Sequence, residues 1–318
     1  MNKAKIVILG QPLEEGLRDL KESFQVDQAP LENTRDWLLE HLSDYDGLYT
    51  TQLPVDKEII DAGTNLKIIS THSVGFDHID IDYAREKGIV VANSPKAVMV
   101  PTAELAVSLM LACMRNVAFL DRRLRDGEWV NTSLPAGLSH GLNGKTVGIF
   151  GFGRIGQEVA KMVQAFGAKV IYNKRSPLSK AEEEALQVSY RDFEELLAEA
   201  DVISLHAPAT DDTKGLFNAE TFRKMKKGAF LVNTARGSLV DEDAMIAALA
   251  SGQLSGAGLD VYEVEGQSHP ELSRLDNVVM TPHSGSATWD ARLKLSRETA
   301  QNIISYLEDG KIINQVNT

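Results

Sequence analysis

Residues 144–156 read Gly144-Lys145-Thr146-Val147-Gly148-Ile149-Phe150-Gly151-Phe152-Gly153-Arg154-Ile155-Gly156. A strand-length apolar run, Thr146 to Phe150, passes directly into glycines spaced G-x-G-x-x-G, and Val159, Met162, Val163 and Phe166 then recur at helical spacing. Alone the glycine spacing is a weak signal, but at a strand-to-helix turn each glycine acquires a task. Gly151 makes the tight turn, Gly153 lets the backbone approach a pyrophosphate, and Gly156 allows close helix–strand packing. Free N–H groups at the helix start, in the turn holding Arg154 and Ile155, then attract the anion. The stretch reads as a dinucleotide-binding turn.

The same alternation of strand and helix extends in both directions. Downstream, strands are expected at Lys169–Tyr172, Val202–Leu205, Ala229–Asn233, Gly256–Asp260 and Val278–Thr281. Upstream, a smaller series falls at Lys5–Leu9, Gly47–Thr51, Leu66–Thr71 and Ile89–Ala92, with helices starting near Leu13, Thr34 and Asp56. Strand–helix alternation implies parallel sheets joined by right-handed crossovers, so the class is α/β. Between the series, Thr102 to Arg115 carries apolar residues on every side, which predicts a helix buried between domains. The last helical stretch, Thr288 to Leu307, can return the chain to the first domain. The expected organisation is two Rossmann-like domains with parallel sheets. A dinucleotide-binding domain, 101–286, is inserted into a smaller flavodoxin-like substrate domain, 1–100 with 287–318.

The 318 residues are 43% hydrophobic, enough for real cores, and 33 Lys+Arg against 45 Asp+Glu give a net charge of −12. Such a charge repels nucleic acid and anionic membranes, so neither is expected as a partner. No apolar run approaches the roughly 20 residues of a membrane span, and the four apolar residues from Ile6 are too few for a signal-peptide core. A cytoplasmic protein is the expectation. Cys113 is the single cysteine, which excludes an intrachain disulfide and a cysteine metal cluster; its apolar setting suits a packed thiol. The acidic run Glu182 to Glu184 reads as a solvated helix face.

At the end of the second strand of the larger series stands Asn173-Lys174-Arg175-Ser176, with Asn173 22 positions after Gly151. A carboxylate there would bind the adenosine ribose hydroxyls and repel a 2′-phosphate; this chain has a neutral amide, two cations and a hydroxyl. NADP(H) is favoured, with NAD(H) as the alternative. No histidine cluster, HExxH helix or paired carboxylates point to a metal or hydrolytic centre.

Three further segments lie at the carboxyl ends of the larger series of strands, where open α/β sheets bind ligands: Asn233-Thr234-Ala235-Arg236-Gly237, Asp260-Val261-Tyr262-Glu263-Val264-Glu265, and Thr281-Pro282-His283-Ser284-Gly285. With Ser73-Val74-Gly75-Phe76-Asp77 and the glycine turn, they make five motifs in order over nearly the whole chain. Together these resemble the D-2-hydroxyacid dehydrogenase family, in particular its glyoxylate/hydroxypyruvate reductase branch.

The resemblance implies reduction of small 2-keto acids to D-2-hydroxy acids by hydride from NAD(P)H, and it marks Arg236, Glu265 and His283 as catalytic. Their chemistry permits it. A carbonyl taking hydride needs a proton for the developing alkoxide, which an imidazolium at His283 can give. A neighbouring Glu265 favours the charged ring and orients it through its other nitrogen. Arg236 can grip the substrate carboxylate and polarise the keto oxygen. The resemblance further assigns substrate binding to backbone N–H groups at Val74 and Gly75, beside Arg236 and His283. Nicotinamide contacts fall to Thr234, Ala235 and Asp260, and His206 with Pro208 should line the cofactor cleft. It also implies a homodimer through the larger domain and closure of the two domains over substrate.

The remaining histidines, His41, His72, His78, His140 and His269, are read as structural, and Asp241 as the N-cap of the helix that follows. Where the family usually has proline after Glu265, this chain has Gly266, which predicts a looser loop. Two other readings stay open: an NAD-linked phosphoglycerate dehydrogenase-like enzyme of serine synthesis, against which Asn173 argues, and a dinucleotide-sensing corepressor-like binding protein, since fold alone does not assign function. Residues choosing the 2-substituent are expected in the Thr50 to Leu53 loop, in the loop of Val74 and Gly75, and on a partner subunit.

Overall fold

The computed structural model describes residues 3–51, 53–134 and 137–318. Gln52, within the expected specificity loop, lies outside them. The chain divides into two compact units, Met1–Met99 with Ser286–Thr318, and Val100–Gly285.

The first unit is a five-stranded sheet of β1 (Lys5–Ile8), β2 (Gln25–Gln28), β3 (Gly47–Thr50), β4 (Ile68–Thr71) and β5 (Val90–Ala92), in the order β2-β1-β3-β4-β5. Every pairing is parallel. Ile6, Val7, Leu48 and Ile69 are wholly buried, as strands covered on both faces require, each such side chain contributing about 1.5–3 kcal/mol. β2 was not expected. Its sequence, Gln25-Val26-Asp27-Gln28, is half-exposed on a sheet edge and carries no apolar run. The six-residue helix Ile81–Glu86 escaped the reading through shortness. The Trp289–Asp309 helix is capped by Thr288, whose hydroxyl accepts from Ala291 N, and places Ile303 in the core with Ile6 and Ile68.

The second unit is a seven-stranded, wholly parallel sheet: β6 (Thr146–Phe150), β7 (Lys169–Asn173), β8 (Val188–Tyr190), β9 (Val202–Leu205), β10 (Ala229–Asn233), β11 (Leu254–Leu259) and β12 (Val278–Met280). The order is β12-β11-β10-β9-β6-β7-β8. Strand order therefore reverses between β6 and β9, and a crevice opens outside their carboxyl ends. β8, three residues on an edge, was again missed.

The Met99–Met114 helix departs from its expected all-round burial. Ala103, Ala106, Leu109, Met110 and Cys113 pack into the β6-side core, and burial pushes the Cys113 thiol up to about 12. Val100, Glu104, Ser108 and Arg115 form an exposed line on the other side. Below that line Ser108, Leu111, Ala112 and Val117 border a groove of about 810 Å³ with Leu142 and Phe166. Three of the four exposed residues are polar, so the helix buries most of its apolar side chains and turns a polar line outward. Among the described residues no single helix is long and apolar enough to cross a membrane.

Candidate active site

Because the larger sheet is parallel, the turns after β6, β7, β9, β10, β11 and β12 all leave from one edge. Gly151 sits at φ +93°, and a Cβ there would lie 2.3 Å from Ala207 N, so the turn after β6 packs on the end of β9 as only glycine permits. A Cβ at Gly156 would meet Gly151 O at 2.7 Å, whereas one at Gly153 would meet nothing within 4 Å. The Arg154–Ala165 helix starts from Gly153 without a side-chain cap. Its first N–H groups, at Arg154 and Ile155, are therefore left for an anion.

At the end of β7, Asn173 O accepts from Gly151 N (3.0 Å), and its Nδ2 donates to Arg191 O (2.9 Å), leaving Oδ1 as acceptor. Lys174 is half-buried, and Arg175 and Ser176 are exposed. Neither cation has an ion-pair partner within 4 Å among the described residues. The loop they ride on is pinned by Tyr172, whose buried hydroxyl accepts from Leu178 N (2.8 Å) and donates to Glu183 Oε1 (3.0 Å). That pin was missed, since a strand tyrosine looks like core.

After β9, His206 Nε2 lies 2.8 Å from Ser204 Oγ, and burial pushes its pKa down to about 4. His206 is thus neutral near pH 7 and unfit to supply a proton. Pro208 beside it is exposed. After β10, buried Asn233 folds the turn back, its Oδ1 accepting from Ala235 N (3.0 Å) and its Nδ2 donating to Arg236 O (2.9 Å). The Thr234 hydroxyl is buried without a hydrogen-bond partner, and Arg236 Nη1 donates to Ala235 O (2.8 Å).

The ends of β11 and β12 are joined through Asp260, which is 1% exposed. Its Oδ1 accepts from Thr281 Oγ1 (2.6 Å), Ser284 N (2.7 Å) and Ser284 Oγ (3.2 Å), its Oδ2 from Gly285 N (2.9 Å), and its backbone O from His283 N (2.8 Å). Within this harness His283 adopts φ +51°, a left-handed conformation uncommon outside glycine and a frequent mark of functional residues. Its Nδ1 lies 3.0 Å from Glu265 Oε2, both side chains being partly exposed. The sheet brings Glu265 and His283 into direct contact, with the Arg236 turn on the neighbouring strand.

In the other unit, the Val74–Gly75 segment follows β4. Asn93 Nδ2 donates to Val74 O (2.8 Å), Ser94 N to Ser73 O (2.9 Å), and the Ser73 hydroxyl to Gly75 O. These carbonyls are occupied, so what the loop has left to offer is N–H groups. Of the histidines read as structural, His72 is buried against the Tyr49 ring, near Ser296, with its pKa down to about 4. His41 stacks on Trp37.

An uncapped helix start, an open backbone at Gly153 and the partnerless Thr234 hydroxyl line one sheet edge with groups suited to a pyrophosphate and a ribose. The chain thus fits a dinucleotide on its own geometry.

Residues 107–285 match the family described as D-isomer specific 2-hydroxyacid dehydrogenase, NAD binding domain. The chain is 42% identical over 311 residues to a glyoxylate reductase of Thermococcus litoralis, covering 96% of this chain and 94% of that one. Among solved structures it resembles a glyoxylate reductase from Paecilomyes thermophila (TM-score 0.91, 34% identity, 99% of each chain). It also resembles an NADPH-dependent glyoxylate/hydroxypyruvate reductase of Sinorhizobium meliloti in complex with NADP and malonate (TM-score 0.87, 30% identity, 99% of this chain and 97% of that one).

Proposed function

Since the chain belongs to the D-isomer specific 2-hydroxyacid dehydrogenase family, we propose that it reduces small 2-keto acids, glyoxylate or hydroxypyruvate, to 2-hydroxy acids of D configuration at the sheet edge described above. The observation that carries this reading is the 3.0 Å contact of His283 Nδ1 with Glu265 Oε2, beside the Arg236 turn.

The reduced dinucleotide supplies the hydride when bound. Gly151, Gly153, Gly156 and the N–H groups of Arg154 and Ile155 would hold its pyrophosphate, Thr234 and Ala235 would border its ribose, and Asp260 is the residue assigned to its carboxamide. His206 and Pro208 wall the crevice. The guanidinium of Arg236 binds the substrate carboxylate and polarises the keto oxygen. With Nδ1–H directed to Glu265, His283 presents Nε2–H to the carbonyl oxygen and releases that proton as the alkoxide develops. Glu265 offsets the imidazolium charge before transfer and fixes the ring.

NADP(H) is the preferred cofactor in this reading, NAD(H) the alternative. It is supported by the neutral Asn173 at the ribose position and by Lys174, Arg175 and Ser176 next to it, free to meet a 2′-phosphate. A cytoplasmic homodimer completes the reading. Exposed Val117 and Phe166 line the groove, and exposed Leu124, Trp129, Leu134 and Leu138 follow Val117 in the chain, apolar side chains that a second copy would bury.

The test is direct: purified protein, NADPH and glyoxylate should lose the near-ultraviolet absorbance of the reduced nicotinamide. No loss with glyoxylate, hydroxypyruvate or pyruvate, under either cofactor, refutes the reading.

A further inference from the structure

Glu265 sits in a poor place for precision. The chain between β11 and β12 is long, Gly266 at φ +83° follows Glu265 where proline was expected, and Val264 is 59% exposed. The Glu265 carboxylate nonetheless lies against His283. Within the loop, Gln267 N donates to Val264 O (3.1 Å) and closes a turn around Glu265 and Gly266; a second restraint lies outside it.

It comes from the first turn of the Glu242–Ala250 helix. Glu242 is buried, and its Oε1 accepts from Glu263 N at 2.8 Å, two residues before Glu265. At the loop's far end Asp243 Oδ1 lies 3.4 Å from His269 Nε2; Asp243 is largely exposed, so this second grip is weak. Glu242 is not needed to start the helix, because Asp241 already caps it by accepting from Ala244 N (2.9 Å). A buried carboxylate is unfavourable unless hydrogen-bonded, and this one is compensated by Glu263 N–H and the positive end of the helix. The neighbouring backbones are locked together as well. A Cβ at Gly237 would lie 1.8 Å from Tyr262 O, so the Arg236 turn lies directly on the start of the loop, and the Tyr262 hydroxyl donates to Thr281 O (2.9 Å).

We propose that Glu242 is a positioning residue: it anchors the Glu263 backbone and thereby sets the Glu265 carboxylate against His283. Gly237 and Tyr262 brace the same start of the loop against the elements carrying Arg236 and His283. The inference rests on reading Glu265 and His283 as the proton-delivering pair.

The experiment compares Glu242→Met, which keeps volume without the acceptor, Glu242→Gln, whose amide oxygen still accepts from Glu263 N, and Glu242→Ala, each alone and combined with Glu265→Gln. Expected for Glu242→Met is a kcat lowered roughly ten- to a hundredfold, with KM and cofactor Kd changed by less than about twofold, and a raised solvent isotope effect. Glu242→Gln should recover most of kcat. In the Glu265→Gln background Glu242→Met should lower kcat no further, since its effect is exerted through that carboxylate. Losses that multiply, or a lowered Tm with kcat intact, would overturn the proposal. Wild-type turnover in Glu265→Gln alone would instead bring down the reading of the pair. If Glu242→Met does not fold, Glu242→Ala puts the same question with the bulk removed.

Discussion

Replacing Asp260 by asparagine changes one atom and should be among the most damaging conservative substitutions in this chain. The carboxylate receives four hydrogen bonds, three on Oδ1 and one on Oδ2, in a site that is 1% exposed. Asparagine has one acceptor oxygen. With that oxygen in the Oδ1 position, its NH2 faces the N–H of Gly285; with the amide turned, it faces the N–H of Ser284. Hydroxyls can rotate away, but a backbone N–H cannot, so either arrangement leaves a buried donor unpaired, costing about 1–3 kcal/mol. The remaining bonds lose their ionic partner and weaken by about 1 kcal/mol each. The expected destabilisation of the Val100–Gly285 unit is ~2–6 kcal/mol, according to which way the amide turns. At about 2–4 °C per kcal/mol for a unit of this size, Tm should fall by roughly 10 °C. The released turn would let His283 leave φ +51°, so turnover should fall even well below the new Tm. Urea unfolding beside steady-state kinetics at low temperature measures both. A loss under about 1 kcal/mol with turnover intact would refute the view that Asp260 holds the turn.

Three further outcomes follow from other parts of the molecule. Asn173→Asp should shift the NADPH-to-NADH preference ratio towards NADH by roughly ten- to a hundredfold, read from kcat/KM with each cofactor; an unchanged ratio removes the basis for preferring NADP. His283→Gln should lower kcat by roughly a hundred- to ten-thousandfold while the dinucleotide Kd stays within about twofold, and a defect confined to cofactor binding contradicts its role as acid. His72 is held neutral by burial, with a pKa down to about 4 from an ordinary 6.5, so the unfolded chain binds a proton that the folded one refuses. Its contribution is present above pH 6.5 and is lost as pH falls from 6.5 towards 4, up to on the order of 3 kcal/mol. His72→Gln should flatten that part of the stability curve, and an acid limb identical to wild type would rule the mechanism out.

What could be read from the sequence was whatever a side chain or a glycine announces by type. The glycine turn was legible because Gly151 needs a positive φ and touches Ala207, and no other residue satisfies both. The parallel sheets were legible because strands buried on both faces, such as Val147 to Phe150, must be apolar throughout. β2 and β8 were not, because an edge strand need not be apolar, and Gln25 to Gln28 shows no pattern that a loop would lack. The Met99–Met114 helix has a polar line, Glu104, Ser108 and Arg115, that is easily overlooked among so many apolar residues, and it is this line that stays exposed.

At the site, sequence named the groups and left out what holds them. His283, Glu265 and Arg236 are conspicuous as an acid, its carboxylate and a cation at strand ends. Asp260, Glu242, Tyr172 and Asn233 do their work through backbone N–H and C=O groups of residues far along the chain, and no residue type signals a backbone partner. Asp260 shows the consequence. It was expected to meet the nicotinamide, and in the structure it grips Thr281, Ser284 and Gly285, the turn that forces His283 into a left-handed backbone. At 1% exposure the carboxylate is enclosed by that turn, and holding the turn is the task the structure shows. Loss of that carboxylate should therefore be felt first in the turn that carries His283, through the unpaired N–H groups of Ser284 and Gly285.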